Sequence, residues 1–240
     1  MSIYSLQTRV SYDEIDQNLN LSLRGALGCM QEAAMIHSDL TGYSARTMEQ
    51  TQVTWMLIQW RVRLIDGAKW NEPITVQTWP RTMERAVSQR NFELRGEYGQ
   101  VAAVGESRWV LVHTKTGRIA RITPEIAAAY ELTQKDVFDS PMPDIPLGGG
   151  EVCCTCRVQR RDIDTNHHVN NRVYLDYARE ALPAEVADAA FREVSVRYHK
   201  QLLLGDLVQC RYCLKDHQHI VDLCSHDMSV VHGTVVFSEV

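Results

Sequence analysis

The chain contains an internal repeat, because the sequence partly overlays itself when it is shifted by 148 positions. Within residues 9–33, nine of 25 residues are identical to their counterparts, among them Ile15-Asp16 with Ile163-Asp164 and Asn18 with Asn166. That is too many for an arbitrary shift. The sequence therefore predicts two similarly folded copies, which together resemble an internal version of a homodimer.

Each copy shows the same succession of predicted elements: one strand, one helix and about four further strands. Apolar residues first alternate as in a half-buried strand and then take helical spacing. Ser22 and Asn170, at matching positions, are good helix N-caps, and Pro183 predicts the end of the second helix. The later strands are predicted at Val53–Leu64, Ile74–Thr82, Ala86–Gly96 and Val101–His113, then at Glu193–Leu203, Asp206–Lys215, His219–His226 and Met228–Ser238.

These elements predict an α+β fold of two tandem repeats, in each of which a long helix is wrapped by an antiparallel sheet. Edge-to-edge pairing of the copies would fuse both sheets into one continuous sheet and hide an edge of each. The predicted domains are residues 1–135 and 151–240, joined by a linker over 136–150 that is rich in proline and glycine. A monomer and a homodimer are both compatible with this arrangement.

Composition excludes several classes of function. A net charge of −5 argues against nucleic-acid binding, and no apolar run reaches transmembrane length, so we expect no membrane insertion. The opening Met1-Ser2-Ile3-Tyr4 leads directly into strand-like sequence and does not resemble a signal peptide. The seven cysteines are an odd number without a disulfide-framework spacing, which favours a reducing compartment, the cytoplasm.

Reactive side chains are concentrated in one stretch of the second copy. Residues 162–174 hold two carboxylates, three asparagines and two histidines, and a helical pattern follows at once. The counterpart of His168 in the first copy is Asn20, and that of His167 is Leu19. A solvated loop with an asparagine cap is the alternative interpretation. A purely structural loop would not diverge toward reactive groups in one copy only, so we assign the chemistry to the second copy.

This stretch resembles the active-site motif of a known enzyme family. The string Asp164-x-Asn166-x-His168-Val169-Asn170-Asn171-x-x-Tyr174 is similar to that of the acyl-ACP thioesterases, which are double-hotdog enzymes. Trp60-Arg61-Val62 and the runs 76–80 and 106–118 resemble the N-terminal half of that family. The resemblance implies hydrolysis of the thioester that joins a fatty acyl group to acyl carrier protein, without a metal or a cofactor.

The resemblance also implies roles for individual residues. The catalytic residues would be Asp164, Asn166, His168 and Gln201, and the substrate-binding residues would be Asn170, Asn171 and Tyr174. The family usually has a glutamate, often followed by cysteine, where this chain has Gln201 and Leu202. A nucleophilic cysteine at that place is therefore excluded, and a glutamine can orient a water molecule but cannot act as a carboxylate base.

The mechanism is left open between several assignments. His168 has the side chain whose usual pKa suits a general base, but Asp164 could take the proton itself or form a covalent intermediate. Asn166 could polarise the carbonyl or hold the water. Free backbone N–H groups at the start of the helix near Asn171 could stabilise the oxyanion.

Other functions fit the same sequence. An acyl-CoA thioesterase of the hotdog fold is one alternative, and a non-catalytic acyl-binding hotdog protein, favoured only by Gln201, is another. Seven basic residues in the second copy could attract the acidic carrier protein or belong to a solvated mixed-charge face. The pairs Cys153/Cys156 and Cys210/Cys213 are three residues apart in predicted strands and so point to opposite faces, and we expect neither pair to bind zinc.

Overall fold

The computed structural model describes residues 2–187 and 191–239. The chain divides into two compact units, Met1–Met142 and Pro143–Val240. The division lies inside the segment that the sequence predicts to be a linker, residues 136–150. Each unit contributes five strands and a helix that packs against them.

The first unit is a helix packed on five antiparallel strands. The sheet order is β1-β3-β4-β5-β2. Its 18-residue helix α1 packs against β3 and β2; residues 25–30 are buried on all sides, and burial continues at helical spacing at Ala33, Ala34 and His37. The elements are β1 (Tyr4–Arg9), α1 (Leu23–Leu40), α2 (Met48–Thr51), β2 (Val53–Leu64), β3 (Pro73–Glu84), β4 (Val87–Arg95), β5 (Val101–His113) and α3 (Pro124–Tyr130).

The second unit has the same plan. Its sheet order is β7-β10-β9-β8-β6, and helix α4 packs against β9 and β10. The strand–helix–strands repeat predicted from the sequence is therefore confirmed. The elements are β6 (Glu151–Arg157), α4 (Val173–Glu180), α5 (Ala184–Ala187), β7 (Glu193–Tyr198), β8 (Leu207–Lys215), β9 (Gln218–Ser225) and β10 (Val231–Ser238).

The prediction of a long helix is wrong for the second unit, where α4 has only eight residues. Ser22 caps α1 as predicted, since its side chain accepts a hydrogen bond from the Gly25 N–H. A Cβ on Gly25 would come within 2.1 Å of the Glu14 carbonyl oxygen, so this close start requires glycine. The counterpart of Gly25 is Val173, whose side chain forbids the same approach. The helix therefore begins at Val173, three residues beyond the predicted cap.

The strand predicted at Glu193–Leu203 is also shorter, because β7 ends at Tyr198. The N–H groups of His199 and Lys200 both donate to the carbonyl oxygen of His232, which ends the regular ladder. The chain then turns away, and the Leu202 carbonyl accepts a hydrogen bond from the Val169 N–H at 2.9 Å. Residues 199–206 thus form a segment that lies against the polar loop of this unit.

Candidate active site

The polar loop of the second copy begins with a turn that is also present in the first copy. The Gln159 N–H donates to the Asp162 carboxylate at 2.7 Å, and the Ser11 N–H donates to the Glu14 carboxylate at 2.8 Å. The buried Asp162 also accepts a hydrogen bond from the Tyr177 hydroxyl at 2.8 Å, which ties the turn to α4. No role was predicted for this pair from the sequence. The matching spacing of Gln159 and Asp162 with Ser11 and Glu14 is the signal that could have found the turn.

The loop that follows is closed by equivalent backbone hydrogen bonds in both copies. The Asp164 N–H donates to the His168 carbonyl at 2.9 Å, and the Asp16 N–H donates to the Asn20 carbonyl at 2.8 Å. His167 has a φ of +64° and its counterpart Leu19 has a φ of +63°, a left-handed conformation that non-glycine residues rarely adopt. The repeat therefore extends to individual backbone torsions.

The Asp164 carboxylate has an architectural contact that is also found in the scaffold copy. Its Oδ1 accepts a hydrogen bond from the Asn166 N–H at 2.8 Å. In the first copy, Asp16 Oδ1 accepts from the Asn18 and Asn20 N–H groups at 2.8 and 2.9 Å. This contact alone therefore indicates no chemistry, because both copies need it to hold the turn.

His168 distinguishes the second loop from the first. Its Nδ1 lies 3.7 Å from Asp164 Oδ1 and 3.4 Å from the Val169 carbonyl oxygen, and its side chain is 29% exposed. Two acceptors facing Nδ1 favour the tautomer with the proton on that nitrogen, which leaves the lone pair on Nε2. Among the residues that the structure describes, Nε2 of His168 has no hydrogen-bond partner. The ring is thus oriented for proton transfer at Nε2.

The other two predicted catalytic side chains are exposed. Asn166 lies on the same turn as Asp164 and His168, and only its backbone is held. Gln201 comes one residue before Leu202, whose backbone pairs with Val169, so its segment abuts the loop. In the described part of the chain, neither amide side chain makes a hydrogen bond within the protein. Both amides are therefore available to a substrate or to water.

The three residues predicted to bind substrate make hydrogen bonds that hold the loop in place. Tyr174 is 2% exposed, and its hydroxyl accepts from the Leu202 N–H at 3.2 Å and donates to the Lys200 carbonyl at 3.3 Å. Asn170 Oδ1 accepts from the Arg172 N–H at 3.0 Å, and the Asn171 carbonyl accepts from the Tyr198 hydroxyl at 3.0 Å. Burial raises the pKa of Tyr174 well above its usual range, so its hydroxyl stays protonated.

The free N–H groups expected at the helix start are already occupied in part. The Arg172 N–H bonds the Asn170 side chain, and the Val173 N–H bonds the Asn170 carbonyl at 2.9 Å. These two donors are therefore not available to an oxyanion. The exposed Asn166 amide is a donor of the loop that makes no hydrogen bond within the described residues.

The Gln201 segment is held by a histidine that the sequence analysis did not single out. His232 on β10 is buried, and its Nδ1 lies 3.2 Å from the Lys200 carbonyl and 3.1 Å from the Gln201 carbonyl. Next to it, Gly233 makes room for Tyr174, because a Cβ there would come within 2.8 Å of the tyrosine ring. No local sequence pattern predicts these contacts, since the residues that they join lie about thirty or more positions apart in the sequence.

Comparisons with known proteins show the family to which the chain belongs. Residues 2–130 match the family described as acyl-ACP thioesterase N-terminal domain, and residues 152–238 match the acyl-ACP thioesterase C-terminal domain. The chain belongs to the acyl-ACP thioesterase family. Within that family, Asp164, Asn166 and His168 fall in the C-terminal domain, the half in which the loop carries a histidine.

Solved structures of similar proteins confirm the double-hotdog fold. An acyl-ACP thioesterase from Bacteroides thetaiotaomicron superposes with a TM-score of 0.88 at 20% identity, covering 98% of this chain and 97% of that one. The 12:0-ACP thioesterase from Umbellularia californica gives a TM-score of 0.85 at 16% identity, with 98% and 96% coverage.

Curated relatives include longer plant proteins of the family. The oleoyl-acyl carrier protein thioesterase 2, chloroplastic, of Arabidopsis thaliana is 22% identical over 214 residues, which cover 81% of this chain and 58% of the relative. The chain thus spans somewhat under three fifths of the length of that relative. In the described residues, no helix has both the length and the apolarity needed to cross a membrane.

Proposed function

We propose that the chain hydrolyses the thioester of fatty acyl–acyl carrier protein and releases a free fatty acid and holo-carrier protein. The observation that carries the proposal is the orientation of His168, whose Nδ1 faces Asp164 Oδ1 and the Val169 carbonyl. This leaves Nε2 to act as a general base, in the one copy whose loop has a histidine. The carrier protein is the partner that this reaction requires.

The chemistry needs one activated water. His168 Nε2 removes a proton from the water as its oxygen attacks the thioester carbonyl, and the Asn166 amide donates a hydrogen bond to the developing oxyanion. The tetrahedral intermediate then expels the phosphopantetheine thiolate, which takes the proton back from the imidazolium. Asp164 holds the ring and stabilises its protonated form.

A covalent route through Asp164 is less favoured by the geometry. Its Oδ1 accepts the Asn166 N–H, and the same contact is made by Asp16 in the copy without a histidine. A carboxylate committed to holding a turn is a weak nucleophile. We therefore assign Asp164 to orientation and electrostatics, and Tyr174, Asn170 and Asn171 to positioning of the loop.

The carrier distinguishes this function from the alternatives. With the same acyl chain on both carriers, we expect kcat/KM for acyl-ACP to exceed that for acyl-CoA by at least about tenfold, because protein–protein contacts add binding that CoA cannot supply. Exposed Arg157, Arg160, Arg161 and Arg179 in the second unit support recognition of an acidic carrier. Release of free thiol from each substrate is the measurement, with His168→Ala protein as the background.

Two outcomes of that comparison would contradict the proposal. Faster turnover of acyl-CoA would make the chain an acyl-CoA thioesterase. Tight binding of acyl-ACP without turnover would make it an acyl-binding protein.

The compartment and the oligomeric state remain predictions; the odd number of cysteines favours a reducing environment such as the cytoplasm.

Substitution of Gln201 tests how this chain hydrolyses its substrate without the carboxylate that the family usually has at that place. We expect Gln201→Ala to lower kcat about tenfold, as for lost positioning of water rather than lost proton transfer. Steady-state rates on one acyl-ACP are the measurement. Leu204→Ala, which alters another exposed side chain of the same segment, is the matched control and should leave kcat unchanged. Gln201→Ala protein as inactive as His168→Ala would place Gln201 in the essential machinery.

A further inference from the structure

Three cysteine thiols of the second unit converge, and none of them belongs to a residue assigned to hydrolysis. Their Sγ atoms, from Cys154 and Cys156 on β6 and from Cys210 on β8, all lie within 4.8 Å of one another. Cys154 and Cys156 are two residues apart and so share one face of their strand. Cys210 lies directly opposite Cys154 in the antiparallel register. The pleat and the register together bring the three thiols to one place.

This trio differs from the pairs that the sequence analysis considered. Cys153 is exposed and lies at a register shift in the pairing of β6 with β8, and Cys213 donates a hydrogen bond to the Gly148 carbonyl at 3.2 Å. The expectation that no zinc binds concerns residues three apart on a strand. It does not apply to residues two apart on a strand, which the sequence analysis did not weigh.

The spacing of the sulfur atoms suits a thiophilic ion. A zinc–thiolate bond of about 2.3 Å in tetrahedral geometry separates two ligand sulfur atoms by about 3.8 Å. Atoms already within 4.8 Å reach that separation by small side-chain rotations. Soft thiolate ligands select ions such as Zn²⁺ and Cu⁺ over hard cations.

Access and charge also favour a cation at this cluster. Cys154 and Cys156 are half-buried on β6, the last strand in the order of this unit's sheet, whereas Cys210 is fully buried. An ion can therefore enter from the sheet edge and still be held by a desolvated ligand. The carboxylates of Glu180 and Asp162 act electrostatically on Cys156, and their negative charge attracts a cation.

We propose that Cys154, Cys156 and Cys210 form a three-thiolate site for a thiophilic metal ion, Zn²⁺ or Cu⁺. Binding displaces one proton from each thiol, so three protons are released per ion, and three metal–sulfur bonds join β6 to β8. An ion that binds only the folded chain raises the free energy of unfolding. The site is independent of the hydrolytic function, since none of the three thiols is assigned to the reaction.

Metal titration of the full chain, reduced and treated with chelator, tests the site. Co²⁺ serves as the spectroscopic probe for Zn²⁺, and we expect one ion per chain with thiolate-to-cobalt charge-transfer absorption that Zn²⁺ abolishes. A parallel anaerobic titration measures Cu⁺ in competition with a chromophoric Cu⁺ chelator. Stoichiometric binding in either titration supports the site, and the arm that gives the higher affinity identifies the ion.

Matched cysteine variants decide whether the trio is the site. Cys154→Ser, Cys156→Ser and Cys210→Ser should each lower affinity by more than the roughly 10–100-fold typical of changes outside the ligand shell. Cys153→Ser and Cys213→Ser, on the same two strands, should bind as the unaltered chain does. Cys156→Ser alters a half-buried residue, so its metal affinity can still be measured if Cys210→Ser, at a buried position, fails to fold.

Two results would overturn the site. One is an unaltered chain that binds neither ion more tightly than the variant lacking all three thiols. The other is a folded Cys154→Ser or Cys156→Ser protein that retains the full affinity. In either case the cluster consists of small buried residues that only fill the core.

Discussion

Replacing His168 with alanine is expected to lower kcat for acyl-ACP hydrolysis by about two orders of magnitude or more, the usual scale for loss of a positioned base. The Nε2 lone pair is removed, and the 162–174 loop contains no other imidazole except that of the exposed neighbour His167. Single-turnover rates on one acyl-ACP measure the chemical step separately from product release.

Asn20→Ala is the matched control for this change, because Asn20 occupies the same place in the equivalent turn of the first copy. It removes a side chain of comparable exposure without touching an imidazole. We expect its kcat to remain close to that of the unaltered chain. Equal loss of activity in both variants would show that the second copy does not carry the reaction alone.

Asp164→Asn is expected to lower kcat by about two orders of magnitude while leaving the thermal midpoint nearly unchanged. The asparagine oxygen can still accept the Asn166 N–H, so the turn keeps its architectural contact. The negative charge that faces His168 Nδ1 at 3.7 Å is lost, and with it the preference for the reactive tautomer and the stabilisation of the imidazolium. Rates and thermal unfolding of the same preparation separate these two effects.

Asp16→Asn makes the same change in the first copy and is the control for the turn itself. It should leave both kcat and the thermal midpoint unchanged, since Asp16 faces no histidine. If Asp164→Asn were fully active, the carboxylate would be only a turn contact. If both variants unfolded at lower temperature, the charge rather than the oxygen would hold the turn.

Much of the fold could be predicted from the sequence because the relevant signals are local. The strands Val53–Leu64 and Val101–His113 have the predicted bounds, since each is a run rich in β-formers that is followed by a turn signal, Asp66-Gly67 or Thr116-Gly117. The late start of α4 could not be predicted in the same way. It depends on the contact that Gly25 permits with Glu14 and that Val173 forbids, and that contact joins residues eleven apart.

The candidate site, like the fold, could be predicted where its contacts are local in sequence and not where they join distant residues. The sequence placed Asp164, Asn166 and His168 together because they follow one another in a single turn. It could not show that Tyr174 bonds the backbone at Lys200 and Leu202, because those partners are set by how the helix lies on the sheet. The three converging thiols were missed for a related reason: strand register across β6 and β8 brings them together.

The two loops share a backbone but differ in reactivity, so architecture and chemistry are encoded by different positions. The aspartates and the backbone hydrogen bonds specify the turn, whereas residues 19 and 20 or 167 and 168 contribute side chains that the turn does not require. The residue at position 168 can therefore change to or from histidine while the backbone of the loop stays the same. The reactive side chains of such a turn can be replaced while the folding free energy of its unit stays almost constant.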